Sequence, residues 1–249
     1  MGVEYDGQPY CGWQRQKHGR SVQSAVEEAL ARVADHPLGV HCAGRTDTGV
    51  HAREQVIHFE STAQRSTRAW VLGCNRWLPH SISMLWAREV PTDFHARFSA
   101  RARSYRYHIL NRGVRPALQD QRVAWVPQAL DVAQMARAVR CLLGEHDFSA
   151  FRASGCQSRE PVRNISHVEI LQSEKCITLD ITANGFLHHM VRNIAGTLIE
   201  VGRARRAPGW VAEVLASRDR RQAGATAPAG GLYFHHVDYP DSYALPQLA

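Results

Sequence analysis

The residues whose types and spacing best suit chemistry lie in one short segment, Gly44 to Ala52, which reads Gly-Arg-Thr-Asp-Thr-Gly-Val-His-Ala. Two glycines flank a single carboxylate, Asp47, and a strand-like segment follows. Glycines permit a tight loop with positive φ and a close approach of a ligand to the backbone. An aspartate held there can point into a cleft, with Arg45 two residues away to keep it ionised. Asp47 is therefore a candidate catalytic residue, although most aspartates in such loops only cap backbone N–H groups.

Two hydrolase classes also use aspartate in this way. The tripeptide Asp47-Thr48-Gly49 occurs in aspartic proteases, but those enzymes need two carboxylates that share a proton. The chain has no second copy of the tripeptide. Glycosidases likewise pair two carboxylates, and the sequence offers no clear partner for Asp47. Both classes are therefore disfavoured.

Basic and aromatic residues alternate in a second segment, Phe94 to His108. If this segment is extended, a period of two places Arg101, Arg103, Tyr105 and Tyr107 on one face. Unpaired RNA bases stack on aromatic rings while phosphates bind guanidinium groups, so the pattern favours an RNA-binding surface. A solvated edge strand with cation–π pairs is the alternative.

Two further segments carry polar residues that suit a site. Phe186 to Ile194 begins a strongly amphipathic helix, on which Arg192 lies beside the apolar stripe and therefore needs an anionic partner if buried. Its neighbours His188 and His189 are predicted to diverge by about 100° on that helix and so to be poor metal ligands. The basic loop Phe151 to Asn164 is interpreted equally well as a phosphate-contacting loop and as an ordinary surface loop.

The composition is that of a globular protein with an anionic partner. The 249 residues carry 30 Lys and Arg against 23 Asp and Glu, a net charge of +7, which favours a polyanion without identifying one. The six cysteines are scattered without zinc-ligand spacing, so reduced thiols are expected. The N-terminus has no basic and apolar signal-peptide pattern, and we expect a cytoplasmic protein.

The elements that must position these residues combine helices and strands unevenly, which predicts an α+β fold. Apolar periodicity predicts helices at Ser21–Asp35, Asp131–Leu143 and Phe186–Val201, with a short helix after Pro208. Alternating or β-branched segments predict strands at Gln55–Phe59, Ser81–Ala87, Phe98–Leu110, Ile165–Leu171, Cys176–Ala183 and Leu232–Tyr239. The order of these elements indicates two similar halves that meet near Phe98.

With these segments in view, the chain resembles the TruA family of tRNA pseudouridine synthases over almost its whole length. The motifs that carry the resemblance are Glu4-Tyr5-Asp6-Gly7, Gly12-Trp13-Gln14-Arg15-Gln16, Gly44-Arg45-Thr46-Asp47, Phe94-His95-Ala96-Arg97-Phe98, Tyr105-Arg106-Tyr107, Cys156-Gln157-Ser158-Arg159, His188-His189-Met190-Val191-Arg192-Asn193, Gly231-Leu232-Tyr233 and Val237-Asp238-Tyr239-Pro240. Relatives usually carry several more strand residues before the Glu4 motif, which puts the stability of the N-terminal half in question.

The resemblance implies a set of roles for particular residues. Asp47 corresponds to the family's nucleophile, and Tyr105 to the tyrosine that lies against the target base. Arg192 corresponds to the arginine that pairs with the catalytic aspartate, and Leu232 to a residue of the pocket wall. The predicted site is therefore catalytic at Asp47, Tyr105 and Arg192, with Leu232 and the tyrosine binding the base. We add five arginines as candidates for holding the RNA backbone: Arg45, Arg97, Arg101, Arg103 and Arg106.

The resemblance also implies the fold and the activity. The expected fold is two similar α+β halves, residues 1–98 and 99–249, that share a central antiparallel sheet with the active-site cleft between them. The expected activity is conversion of uridine to pseudouridine in the tRNA anticodon stem-loop, without a cofactor or a metal. The expected assembly is a homodimer that binds tRNA. A catalytically inactive tRNA-binding protein of the same fold is the alternative.

Overall fold

The computed structural model describes residues 1–246. The strands are β1 Gly2–Tyr5, β2 His41–Cys42, β3 His51–His58, β4 Ile82–Trp86, β5 Ala102–Asn111, β6 Ala124–Val126, β7 Gly144–Asp147, β8 Val162–Ser173, β9 Cys176–Ala183 and β10 Leu232–Asp238. The helices are α1 Val22–Ala34, α2 Thr67–Trp77, α3 Val132–Val139, α4 Met190–Gly202 and α5 Trp210–Ser217.

The chain folds into two compact units. Unit 1 contains Met1–Ala102 together with the C-terminal segment from Phe234, and unit 2 contains Arg103–Tyr233. Each unit combines helices with antiparallel strand pairs, so the predicted α+β class is confirmed. That the halves 1–98 and 99–249 resemble each other stays a prediction. The two compact units have different bounds, because the segment from Phe234 packs with unit 1.

Unit 1 is a small sheet with two helices. Its strand order is β4, β1, β3, β10, and β2 pairs with the last two residues of β3. Helix α2 packs on β4, and α1 packs on α2. Ser21 caps α1 by accepting a hydrogen bond from the backbone N–H of Ser24, and the Ser24 side chain bonds back to complete a capping box. The predicted helix Ser21–Asp35 is therefore confirmed.

The sequence patterns did not predict helix α2. Only Trp70 and Cys74 of its residues are buried, so its apolar stripe is too short to give a clear period of 3.6. The sequence offered one local signal for the start of this helix, the serine at position 66. The Ser66 side chain is the N-cap and accepts a hydrogen bond from the Ala69 N–H.

Unit 2 is a longer sheet with three helices. Its strand order is β5, β9, β8, β7, with antiparallel pairing throughout. Strand β6 departs from the expected antiparallel sheet because it pairs with β5 in parallel. Helix α3 packs on both α4 and β8. Ile177, Leu179 and Ile181 are buried in β9, as the alternation predicts.

Two predicted helices of unit 2 have different ends. Helix α3 starts after the Asp131 cap as predicted, but it ends at Val139 and continues only as a 3-10 turn to Leu142. Helix α4 starts at Met190 and not at Phe186, because His189 adopts a left-handed conformation with φ 61°. No helix within residues 1–246 is long and apolar enough to cross a membrane.

A buried carboxylate joins three strands of unit 1. Glu54 of β3 is 3% exposed and accepts hydrogen bonds from Nε1 of Trp86 in β4 and Nδ1 of His236 in β10, both at 2.9 Å. Nε2 of His236 lies 3.3 Å from an Asp238 carboxylate oxygen. The hydrogen bond to Glu54 is the main cause that raises the pKa of His236. The buried carboxylate therefore favours the protonated form of the imidazole that it faces.

We predict that His236→Gln destabilises the protein by about 1–3 kcal/mol at pH 6 and by less at pH 9. The raised pKa of His236 means that its stabilising effect is complete below about pH 6.5, the unfolded value, and is lost as the pH rises through the folded value. Urea unfolding at both pH values measures this difference. His80→Gln, an exposed histidine of unit 1, is the control, and an equal cost of His236→Gln at both pH values would contradict the prediction.

Candidate active site

The Asp47 loop of unit 1 spans residues 43–50, between β2 and β3. A fully buried amide, Gln55, holds its start: Nε2 donates to the Gly44 carbonyl at 2.5 Å, and Oε1 accepts from the Gly44 N–H at 3.3 Å. Its end is a turn in which the Val50 N–H donates to the Asp47 carbonyl at 3.1 Å. Asp47, the catalytic candidate, thus lies in a loop whose two ends are held by hydrogen bonds.

The middle of the loop is held by residues of the N-terminal motifs. The Thr46 carbonyl accepts from the Trp13 N–H at 3.0 Å, and Thr46 Oγ1 lies 2.8 Å from the hydroxyl of Tyr5. Burial raises the pKa of Tyr5, so this hydroxyl stays protonated. Thr46 is buried and Asp47 beside it is half-buried, which directs the carboxylate from a fixed backbone into a partly exposed position.

Glycines allow the N-terminal segment to press against this loop. A Cβ on Gly7 would lie 1.9 Å from the Val50 carbonyl oxygen. Gly12 has a φ of +88°, and a Cβ there would lie 2.7 Å from the Thr46 carbonyl oxygen. No other residue fits either position without moving the loop. The two glycine-containing motifs at the N-terminus therefore shape the backbone that carries Asp47.

The other unit 1 candidates are exposed arginines. Arg45 lies in the same loop as Asp47, two residues before it, and Arg97 and Arg101 lie just before β5. The Arg97 guanidinium stands over the ring of Phe98 at 5.5 Å. Arg101 lies outside the strand that was expected to carry it, and its N–H donates to the Asp238 carbonyl at 2.8 Å.

In unit 2, Tyr105 and Tyr107 share the inner face of β5. Tyr105 is 8% exposed and packs edge-on against Phe186 at 4.9 Å. Tyr107 is fully buried, and its hydroxyl donates to the Pro228 carbonyl at 2.8 Å. The expectation that both tyrosines share an RNA-binding face with arginines is therefore wrong for Tyr107, because that face of the strand is core.

The two arginines on β5 already have protein partners. Nε of Arg106 donates to Asp180 at 2.8 Å on the opposite face of the strand, and Nη1 of Arg103 donates to the Asn184 carbonyl at 3.1 Å. Contact of Arg106 with RNA would compete with its ion pair. Their role in holding an RNA backbone stays a prediction.

Arg192 lies in the first turn of α4 and is fixed by the loop that precedes β10. Its Nε donates to the Ala227 carbonyl at 2.9 Å, and the Ala227 N–H donates to the Arg192 carbonyl at 3.1 Å. The next carbonyl, of Pro228, accepts from Tyr107. Adjacent carbonyls of one loop thus tie Arg192 to the buried face of the strand that carries Tyr105.

A network that the sequence reasoning missed holds this loop. Asn193 is fully buried: its Nδ2 donates to the Phe151 carbonyl at 2.8 Å, and its Oδ1 accepts from Thr226 at 2.7 Å and Arg220 at 3.0 Å. A Cβ on Gly196 would lie 1.8 Å from the Ala225 carbonyl oxygen. A glycine in the middle of an apolar helix was the available signal, since it indicates a close backbone approach.

Leu232, the last candidate, begins β10 and is 5% exposed. Gly231 before it lies against Tyr107, where an added Cβ would be 2.8 Å from the tyrosine ring. Tyr105 on β5, Arg192 on α4 and Leu232 at the first residue of β10 thus all lie in unit 2, near the buried Tyr107.

The paired histidines belong to a loop and not to a helix, which corrects the predicted geometry. Their ring centroids are 4.0 Å apart, so they do not diverge as two helix residues would. The His188 N–H points at the sulfur of Cys156 at 3.4 Å. Although burial opposes it, hydrogen bonds from the backbone of His188 and Ser158, together with Arg152, lower the pKa of the Cys156 thiol.

The basic loop Phe151–Asn164 is shaped by its own arginines. Nη2 of Arg152 donates to the carbonyls of Cys156 and Ser158 at 2.9 and 2.6 Å. Arg163 donates to the Ser158 hydroxyl at 2.8 Å and to two backbone carbonyls. Both arginines therefore support the loop, and Arg159 is the exposed arginine of the segment.

Comparison with known proteins decides the family. A sequence model described as tRNA pseudouridine synthase matches residues 1–99 and 138–240. The chain belongs to this family. The tRNA pseudouridine synthase A of Hydrogenovibrio crunogenus is 53% identical over 248 residues, which are 100% of this chain and 95% of that protein. The proteins of that name from Escherichia coli strain SMS-3-5 and Shigella boydii serotype 18 are each 54% identical over 247 residues, 99% of this chain and 92% of each relative.

The predicted family and its isomerase class are thereby confirmed. In this chain, three of the motifs that carry the resemblance fall on the Asp47 loop and its glycine supports in unit 1, and those at Phe94 and Val237 lie around the start of β5 and the end of β10. In unit 2, motifs fall on β5, on the segment that enters α4, and on the start of β10.

We predict that Gly12→Ala lowers kcat about a hundredfold while the protein remains folded. A side chain at φ +88° that also meets the Thr46 carbonyl must displace the loop that carries Asp47, and if Asp47 is catalytic, a shift of about 1 Å costs this much. Tritium release from uridine-labelled tRNA measures kcat, and thermal unfolding checks the fold. Gly39→Ala is the control because its Cβ would meet nothing within 4 Å; equal activity of the two variants would contradict the assigned role of Gly12.

Proposed function

We propose that this chain converts uridine to pseudouridine in the anticodon stem-loop of tRNA, with Asp47 as the nucleophile. The observation that carries the proposal is the Asp47 loop, in which a carboxylate stands on a backbone fixed by Gln55, Trp13 and two close glycine contacts. An aspartate that only capped a turn would not require this support. The net charge of +7 suits a polyanionic substrate.

The reaction rearranges bonds within one nucleoside. The N1–C1′ bond breaks, the uracil turns, and C5 bonds to C1′ as the C5 proton leaves and N1 gains a proton. The sum is neutral in atoms and electrons, so no oxidant or reductant is needed, and the proposed reaction uses no cofactor or metal. A carboxylate can divide the reaction into easier steps by forming a covalent intermediate. Attack of Asp47 on the ribose C1′ and on the pyrimidine C6 both fit this scheme.

The remaining roles follow from the resemblance and from unit 2. Tyr105 is the first buried residue of its strand face and packs against Phe186, and this position at the margin of the core suits a ring that stacks on the uracil. Arg192 is proposed to partner the carboxylate, and Leu232 to line the base pocket. A uridine in a helical stem must be flipped out at a cost of a few kcal/mol, and Arg45, Arg97, Arg101, Arg103 and Arg106 are proposed to hold the backbone meanwhile.

A cytoplasmic homodimer is the proposed working form. Both the location and the dimer rest on the family resemblance and on the expected partner, tRNA. Sedimentation of the purified protein with and without tRNA tests the dimer.

We predict that Asp47→Ala and Asp47→Asn abolish tritium release from tRNA labelled at uridine C5. The C5–C1′ bond cannot form without displacing that hydrogen, and removing a nucleophile costs several orders of magnitude in kcat. Tritium counted in water, together with tRNA affinity by filter binding, measures both properties. Asp120→Asn, an exposed carboxylate of unit 2, is the matched control.

Activity that survives in Asp47→Asn would remove the catalytic assignment. Wild type that binds tRNA but releases no tritium would instead identify an inactive tRNA-binding protein of this fold. Free uracil among the products would indicate a glycosidic hydrolase.

We predict that Tyr105→Phe lowers kcat by about a hundredfold and leaves KM nearly unchanged, because the ring still stacks on the base while the hydroxyl no longer assists proton transfer. Tyr105→Leu, which lacks a ring, should raise KM as well. Steady-state tritium release for both variants separates the two effects. Equal rates for Tyr105→Phe and wild type would restrict Tyr105 to stacking.

A further inference from the structure

Phe98 is an exposed aromatic residue that the proposed reaction leaves unexplained. It is 75% exposed, more than any other aromatic side chain in residues 1–246. Exposing a phenylalanine ring to water is unfavourable. A protein that holds one in this position has a use for the ring or tolerates it in a loose loop.

The turn that carries Phe98 is tightly held. The Ser99 N–H donates to the His95 carbonyl, and the His95 N–H donates to the Ser99 hydroxyl, both at 2.9 Å. Nδ1 of His95 accepts from the N–H groups of Arg97 and Phe98 at 3.1 and 3.3 Å. These bonds close residues 95–99 on themselves, so the exposure of the ring is built into the turn.

The turn is also anchored to the core of unit 1. The Ala96 N–H donates to Nδ1 of His58 at 3.1 Å, and the Tyr239 hydroxyl donates to the Ala96 carbonyl at 2.5 Å. Ala96 itself is fully buried. The exposed ring therefore projects from a backbone that is hydrogen-bonded to residues of the unit 1 core.

The ring has neighbours that suit a nucleic-acid base. The His95 ring packs against it, with centroids 4.4 Å apart and planes tilted by 32°, and the rest of the Phe98 ring is exposed. The Arg97 guanidinium stands over it at 5.5 Å. Since Nδ1 of His95 accepts backbone hydrogen bonds, its proton is on Nε2 and the imidazole is neutral at pH 7. We name His95, Arg97 and Phe98 the Phe98 platform.

The chain that contains and follows the platform is basic. The segment from Phe94 to Arg106 contains four arginines and no acidic residue, and Arg97 and Arg101 in it are exposed. An apolar ring bordered by guanidinium groups matches an RNA strand, in which a base face lies next to phosphates. A protein partner would not require this pairing of one flat ring with excess positive charge.

We propose that the Phe98 platform binds an unpaired base of the substrate RNA, which stacks on the Phe98 ring while Arg97 contacts a neighbouring phosphate. This inference rests on the proposed function for its RNA substrate and adds a second contact point away from the target uridine. The platform then helps to fix the register of the loop while the target base is flipped.

The test compares Phe98→Leu and Phe98→Trp by fluorescence anisotropy with two labelled RNAs, an anticodon-arm hairpin and a duplex of equal length. We expect Phe98→Leu to weaken hairpin binding about five- to a hundredfold, the worth of one base stacked on a ring. Phe98→Trp should bind the hairpin as wild type does. Duplex affinity should not change in either variant, because a paired base cannot stack on the platform.

Salt dependence separates the ring from the charge. Phe98→Leu should leave the slope of log affinity against log salt unchanged, whereas Arg97→Gln should reduce it by about one. Leu118→Ala, which removes a 95% exposed apolar side chain from unit 2, is the control and should not alter hairpin binding.

Hairpin affinity unchanged in Phe98→Leu, or reduced equally for the duplex, would overturn the inference. A change in the sedimentation of Phe98→Leu without RNA would also overturn it, because the ring would then contact a second copy of the chain. Tritium release by wild type is measured separately. Its absence would refute the proposed function, while the hairpin comparison would still decide the role of Phe98.

Discussion

The candidate site depends on one constraint: the loops beside its residues are irregular chain, and buried polar groups in such chain must be satisfied without a helix or a sheet ladder. A fully buried side-chain amide binds such a loop in each unit. Gln55 binds both backbone groups of Gly44 before Asp47, and Asn193 binds the segment around Thr226 beside Arg192. Because an amide offers donors and an acceptor on one planar group, it fixes a loop in orientation as well as in place.

Close backbone contact is the second half of the same arrangement. At Gly7 and Gly196 an added Cβ would lie within 2 Å of a carbonyl oxygen in the supported loop, at 1.9 and 1.8 Å. Packing at this density leaves a loop with a single position. The glycines are thus the steric counterpart of the two amides, and each unit reaches a rigid loop by the same pair of means.

Local chemistry made part of this arrangement predictable from the sequence. The Ser21 cap, the alternation in β9 and the glycines around Asp47 each act within a few residues. The errors arose where a pattern depends on distant residues. Periodicity gave Tyr107 a face but could not tell core from solvent, and nothing local indicated that His189 is left-handed. The Asn193 network includes a hydrogen bond between residues 42 positions apart, from Asn193 to the Phe151 carbonyl.

A rigid protein suits a reaction in which the substrate supplies the motion. The uracil must leave C1′, turn and return within one site, so the groups that act on it must keep their positions across two different bond arrangements. Arg192, the proposed partner of the carboxylate, is held in such a fixed position. Its Nε donates to the Ala227 carbonyl, and the loop of Ala227 is held in turn by the hydrogen bond between Thr226 and Asn193, which orients the guanidinium. Preorganised charge of this kind needs no rearrangement during the reaction. The free energy required to order the site is therefore supplied when the protein folds.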